Sequence, residues 1–164
     1  MQKLFSKVIV SSIVADEILN KNAPFEVKKN FKKLIKMDFV EIKTMKDGSS
    51  EHNAYLKIKK KYKFRGSGEA AVIALTCKNG GVIASNNLVD VRGFAEDYDL
   101  KLITTAFILA KAYEFGIKKK RKELDKIWSD MVNNGRKRSL PRNVKSFTEY
   151  YGGKYVDDCL FMSL

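Results

Sequence analysis

Short β-branched runs alternate along this chain with stretches whose apolar residues recur every three or four positions. KVIVSS (7–12) has the length and composition of a strand and feeds SIVADEIL, a helix start with Ser12 as its cap. Phe25, Val27, Phe31, Leu34 and Ile35 sit at helical spacing among lysines and predict a helix over 25–37. FVEIK (39–43) alternates like a strand and is broken by DGSS, after which 54–63 reads as a basic helix ended by Gly66 and Gly68. Residues 69–77 predict a helix with Val72, Ile73 and Thr76 on one face, stopped at 78–81 by KNGG. VIAS (82–85) and KLIT (101–104) are short apolar strands. They are separated by a helix over 88–98 with Val91, Phe94 and Ala95 inward. A helix over 105–115 ends at Gly116, and a long one over 118–134 carries Leu124, Ile127, Trp128 and Met131 at i, i+3, i+4 and i+7. Strands alternating with helices predict an α/β fold with a mainly parallel sheet, whose ligands bind at the carboxyl ends of the strands.

Composition narrows the function classes. The 164 residues suit one domain, and 45% apolar content allows a sizeable core. Lys and Arg number 32 against 19 acids, a formal charge of +13 that favours a polyanionic partner, nucleic acid above all. The charge is clumped at Lys57, Lys59, Lys60, Lys61 and Lys63, at 118–122, and at Arg136, Lys137, Arg138, Arg142 and Lys145. Each cluster taken alone also reads as a solvated face. Tyr62 and Phe64 follow the first cluster and could stack on bases, or belong to the core. No apolar run is long enough for a membrane span, and no secretory signal is visible. Cys77 and Cys159 lie far apart and make no disulfide framework or zinc cluster, so a reducing cytoplasm is expected. His52, in the polar stretch DGSSEHN, is the single histidine, which disfavours zinc hydrolases and leaves Ser-His-Asp chemistry one place to be built. The lack of a Gly-rich phosphate loop argues against nucleotide-dependent activities.

The strand-end rule directs attention to particular residues. Ser85, Asn86 and Asn87 follow the 82–84 strand, with Asp90 one turn into the next helix. Glu69 opens the helix after Gly66-Ser67-Gly68, where an acid also complements the helix dipole. Near the end, KYVDDCLFMSL (154–164) sets Asp157 and Asp158 inside an apolar run, after a strand at 154–156. Buried carboxylates need a cation, and acids gathered at strand ends form a hard-oxygen site suited to Mg²⁺ or Mn²⁺. An edge strand with two solvent-facing aspartates is the alternative.

GEAAVIAL (68–75), VIASNNLVDVRGFAEDYDLKLITTAFILAKAYEFG (82–116) and IWSDMVNNGRKRSLPRNVKSFTEYY (127–151), with KVIVSSIVADEIL (7–19), together resemble the PIN-domain family of metal-dependent ribonucleases, many of them toxins of toxin–antitoxin pairs. The resemblance implies a three-layer α/β sandwich with a mainly parallel central sheet. KYVDDCLFMSL resembles the unit with which such domains ordinarily open. The order therefore looks circularly permuted, the C-terminal segment supplying the first strand, and an intermolecular tail exchange between two copies leaves the same signature. On this reading 1–164 is a single domain, with a core at 1–134, a basic tail at 135–153 and the completing strand at 154–164. Asp157 then matches the family's first acid, Glu69 the acid at the mid-chain helix start, and Glu17 the acid of the early helix, with Asp16 as its rival. The fourth acid falls on Asn86 or Asn87, whose amide oxygen can ligate Mg²⁺ without adding charge, and Asp90 stands near as a substitute. The implied activity is Mg²⁺- or Mn²⁺-dependent cleavage of single-stranded RNA. Lys59, Lys60, Lys61, Lys119, Lys120, Arg121, Arg136 and Arg138 would hold the backbone, and an antitoxin-like protein is a further partner. A module that binds RNA or protein after losing its metal chemistry is the alternative.

Overall fold

The computed structural model describes residues 3–62, 66–134, 140–141 and 143–153, which fall into two compact units, Met1–Gly81 and Val82–Leu164. Each unit contains a pair of parallel strands with helices, which makes the chain α/β.

In the first unit β1 (Val8–Ser11) pairs with β2 (Val40–Lys43), Val8 opposite Val40 and Ser11 opposite Lys43. Four helices accompany them: α1 (Ser12–Leu19), α2 (Phe25–Lys36), α3 (Ser50–Lys61) and α4 (Ser67–Asn79). The cap of α1 is Ser11 rather than Ser12, because the Ser11 hydroxyl accepts the Val14 N–H at 3.2 Å. Ser49 likewise accepts the His52 N–H at 3.1 Å, so α3 begins four residues before the expected Ala54 and the DGSS turn doubles as its cap. Ala15, Phe31, Phe39 and Val40 form a core against which Val10, Ile18, Leu34 and Ile35 pack. The inward face of α2 is narrower than its periodicity predicts, since Phe25 and Val27 are exposed. The buried surface of α4 is wider: Ala70, Ala71, Ile73, Ala74 and Leu75 are all buried, while Val72 and Thr76 lie at the margin. The helix ends where Gly80 takes φ +72°, a conformation an L side chain resists.

In the second unit β3 (Val82–Ala84) pairs with β4 (Lys101–Ile103) across α5 (Leu88–Asp97), the connection a parallel pair requires. Val91, Phe94 and Ala95 are buried as their spacing predicts. α6 (Thr105–Glu114) and α7 (Arg121–Asn134) follow, and Ala106, Ala110, Leu124 and Trp128 share one core with Phe147 and Tyr150. The start of α7 lies three residues later than expected, leaving Lys118–Lys120 before it. Phe147 and Tyr150 belong to α8 (Phe147–Gly152), a helix inside the stretch read from sequence as a basic tail. Ser146 accepts the Glu149 N–H at 3.0 Å while the Glu149 carboxylate accepts the Lys145 N–H at 2.8 Å, in the manner of a capping box. Asp125 of α7 pins α8 by accepting both the N–H and the hydroxyl of Thr148 at 2.8 Å. Residues 154–164, including the expected strand at 154–156, lie outside the described residues.

Candidate functional site

The first turn of α4 gathers the candidate chemistry of the first unit. Gly66, in extended conformation, is the N-cap and offers no side chain. The Glu69 carboxylate folds back over it: a Cβ built on Gly66 would lie 2.8 Å from Glu69 Oε2. That is the posture of the acid in a capping box, at the positive end of a helix dipole. α1 supplies the second carboxylate. Gly68 is buried, and a Cβ there would stand 3.1 Å from Val14 Cγ2 and 3.4 Å from both carboxylate oxygens of Glu17. The glycine therefore lets α1 close onto α4 and lays Glu17 against the same turn as Glu69. Asp16, the rival for this role, is exposed on α1 like Glu17, but it is not among the atoms nearest Gly68.

A cation stands at the same turn. Lys59 on α3 donates to the Ser67 hydroxyl at 3.2 Å and to the Tyr55 hydroxyl at 3.4 Å. Lys60 and Lys61 are exposed next to it in the last turn of α3, with the Lys61 ammonium 4.5 Å from the centre of the Tyr62 ring. Tyr62 thus serves as a cation–π partner, while Phe64 lies outside the described residues.

In the second unit the amide after β3 bonds through both of its polar atoms. Asn86 Nδ2 donates to the Thr105 hydroxyl at 2.9 Å and Asn86 Oδ1 accepts the Thr105 N–H at 2.9 Å. The side chain thereby ties the β3–α5 loop to the first turn of α6. Asn87 is the N-cap of α5 without a side-chain capping bond, and Asp90 lies in the first turn of that helix. Lys119 and Lys120 are exposed ahead of α7, and Arg121 opens it. Asp157, Asp158, Arg136 and Arg138 lie outside the described residues. Among the described residues no three potential metal ligands converge. Glu17 and Glu69 are a two-carboxylate hard-oxygen set, compatible with Mg²⁺ or Mn²⁺ once further donors join.

The polar stretch around His52 has another occupation. His52 Nδ1 accepts the Gly48 N–H at 3.3 Å, its ring stacks on Tyr55, and Nε2 is 3.7 Å from Asp47. The Ser49 hydroxyl caps α3 and the Ser50 hydroxyl donates to Glu51 at 3.0 Å, so both serines face cap and acid partners rather than the imidazole. Sequence reading missed Ser67, Gly68 and Thr105. For the first two the signal was present in G-S-G-E, whose small residues allow close approach to a helix start. Nothing in the sequence marked Thr105 as the partner of Asn86.

Among the described residues no helix is long and apolar enough to cross a membrane. Comparison with curated proteins and with solved structures gives no match. A family model described as a PIN domain matches residues 1–144, spanning both units, and the chain belongs to that family, whose domains are generally nuclease-type and use divalent metals.

Proposed function

We propose that this PIN-domain protein is a Mg²⁺- or Mn²⁺-dependent endoribonuclease acting on single-stranded RNA. The observation that carries the reading is the placement of Glu17 and Glu69 against one helix turn, with the Lys59 ammonium held on Ser67 beside them. Bound there, a divalent ion supplies an activated water and charge neutralisation for in-line attack on a phosphodiester. Glu17 and Glu69 offer the carboxylate oxygens, and Asp157 is the further acid that the family pattern assigns to them, with Asn86 and Asp90 as the remaining candidates. Lys59 counters phosphate charge at the same turn, and Lys60, Lys61, Lys119, Lys120, Arg121, Arg136 and Arg138 hold the backbone. The setting is the cytoplasm, and an acidic antitoxin-like protein is a second partner for the same cations.

The fold reading attached to this function is a single domain, a three-layer sandwich whose sheet takes the 154–156 strand from the C-terminus, in the same chain or by exchange within a homodimer. Its support is the shortness of each unit's ladder. Among the described residues β1 pairs with β2 and β3 with β4, two-stranded parallel ladders of a kind normally buried within larger sheets. Ile9 of β1 is 51% exposed and Val82 of β3 is 39% exposed, apolar strand residues of the sort a further strand or helix covers.

One observation favours a second reading, a module that binds RNA without cutting it. Asn86 ties its loop to Thr105 through both polar atoms and brings no negative charge with which to draw a cation. Labelled single-stranded RNA incubated with and without Mn²⁺, alongside Asp157→Asn and Glu69→Gln, separates the two. Metal-dependent cleavage lost in both variants supports the nuclease. Binding without cleavage by the wild type supports the module.

A further inference from the structure

Arg121, at the start of α7, is constrained on several sides. Its Nε donates to the Tyr113 hydroxyl at 3.2 Å, and its guanidinium carbon lies 5.5 Å from the Tyr113 ring centre and 5.4 Å from that of Tyr151. The two rings meet edge to face at 5.0 Å, and both pack on the buried core of Trp128, Phe147 and Tyr150. The side chain is therefore fixed by three elements, α6, α7 and α8, while the residue itself remains exposed. Among the described residues no carboxylate forms an ion pair with it. An arginine held this way loses little further rotamer freedom when it binds, and its outer fork matches a phosphate bidentately. Lys119, Lys120 and Lys122 stand exposed around it. Phe115, 71% exposed, closes the same loop at the end of α6.

We propose that Arg121 anchors a single-stranded RNA contact on the α6–α7 loop, its fork taking a backbone phosphate and Phe115 offering a ring on which a base stacks. The proposal rests on the ribonucleic-acid reading above and assigns that partner a place in the second unit. Single-stranded RNA fits better than an acidic protein because an exposed aromatic among cations finds a π-face on every base and no counterpart in a carboxylate-rich surface.

The experiment is fluorescence anisotropy of a labelled single-stranded RNA in EDTA, which suppresses any metal-dependent cleavage, over a series of salt concentrations. Wild type is compared with Arg121→Ala, Arg121→Lys, Phe115→Ala and Lys126→Ala, the last removing an exposed charge elsewhere on α7. Arg121→Ala is expected to weaken binding about tenfold and to flatten the salt slope by roughly one phosphate contact. Arg121→Lys should keep the slope and recover only part of the affinity. Phe115→Ala should weaken binding without changing the slope, and Lys126→Ala should change neither. Equal losses from Arg121→Ala and Lys126→Ala overturn the proposal, because net charge alone then explains binding. A lowered melting temperature in Arg121→Ala with unchanged RNA affinity also overturns it and leaves Arg121 a packing residue. So does Arg121-dependent binding of a polyglutamate peptide when RNA binding is indifferent to the residue. A protein that binds RNA through Arg121 but never cleaves with Mn²⁺ removes the nuclease reading and leaves this contact standing. One that cleaves but ignores Arg121→Ala does the reverse.

Discussion

Two glycines in helices offer a matched test of how α1 is held on α4. Replacing glycine by alanine inside a helix gains about 0.5–1 kcal/mol from backbone entropy when the new methyl has room. Gly93 in α5 has room, with nothing within 4 Å of a built Cβ. Gly68 does not: its Cβ would meet Val14 Cγ2 at 3.1 Å, against an ordinary carbon–carbon contact of about 3.5–4.0 Å. The neighbour is a half-buried branched side chain on α1 that must give by a few tenths of an ångström, and overpacking of that kind costs about 1–3 kcal/mol. Netting the two effects, Gly68→Ala should destabilise by about 1 kcal/mol, whereas Gly93→Ala should stabilise by about 0.5–1 kcal/mol. In a chain of this size each kilocalorie moves the melting temperature by about 2–4 °C, so the variants should shift in opposite directions. Urea unfolding followed by far-ultraviolet circular dichroism gives the free energies directly. Gly68→Ala should also weaken Mn²⁺ binding by calorimetry, because the methyl arrives 3.4 Å from both Glu17 oxygens. A Gly68→Ala protein as stabilised as Gly93→Ala, with unchanged Mn²⁺ binding, would show that α1 does not press on that turn.

Trp128 is fully buried and its Nε1 donates to the Val144 carbonyl at 3.3 Å, so Trp128→Ala should cost about 3–5 kcal/mol in urea unfolding, and a loss below 1 kcal/mol would contradict its place in the core. Burial pushes the Cys77 thiol up, so in a Cys159→Ser background it should react with iodoacetamide at neutral pH several-fold more slowly in the native protein than in urea. The folded-state value being the higher one, the thiol's contribution to stability is present below the ordinary range near 8.5 and is lost as pH rises through the folded value, which a urea series between pH 7 and 10 measures. Asn86→Asp should tighten Mn²⁺ in a calorimetric titration if position 86 faces the metal, with Asn87→Asp as control; no change in either leaves both amides as turn residues.

The elements were legible where one physical signal dominated. VIA and KLI, apolar runs of strand length, appear within a residue of expectation, as do Val91, Phe94 and Ala95 on the inner face of α5. The start of α3 moved because capping outranked periodicity: Ser49 takes the His52 N–H and pulls the helix back to Ser50. α8 was hidden because six residues carry too little period to register. Its real signature, S-F-T-E, is a capping box set in a basic stretch read for charge alone. At the site, Glu17 and Glu69 were nameable from the family pattern. What sequence left open was the approach of α1 to α4, a packing fact that depends on the absent side chain of Gly68.

Position 86 is where the two functional readings divide, and its hydrogen bonds say why the division is chemically clean. Thr105 offers its backbone N–H to Oδ1, while its hydroxyl accepts from the amide nitrogen. A hydroxyl can donate as readily as accept, so a carboxylate at 86 would take both bonds from Thr105 in the same bidentate posture. The clamp between the β3–α5 loop and α6 is therefore indifferent to amide or acid. The difference is the charge: a carboxylate adds one negative unit and keeps lone pairs free for a cation, whereas the amide adds none. The Thr105 bonds alone thus do not require an amide rather than an acid at position 86. A nuclease built on Glu17, Glu69 and Asp157 works with fewer charges and holds its metal more weakly. An RNA-binding module loses nothing by the same change, since a neutral loop repels phosphate less than an acidic one.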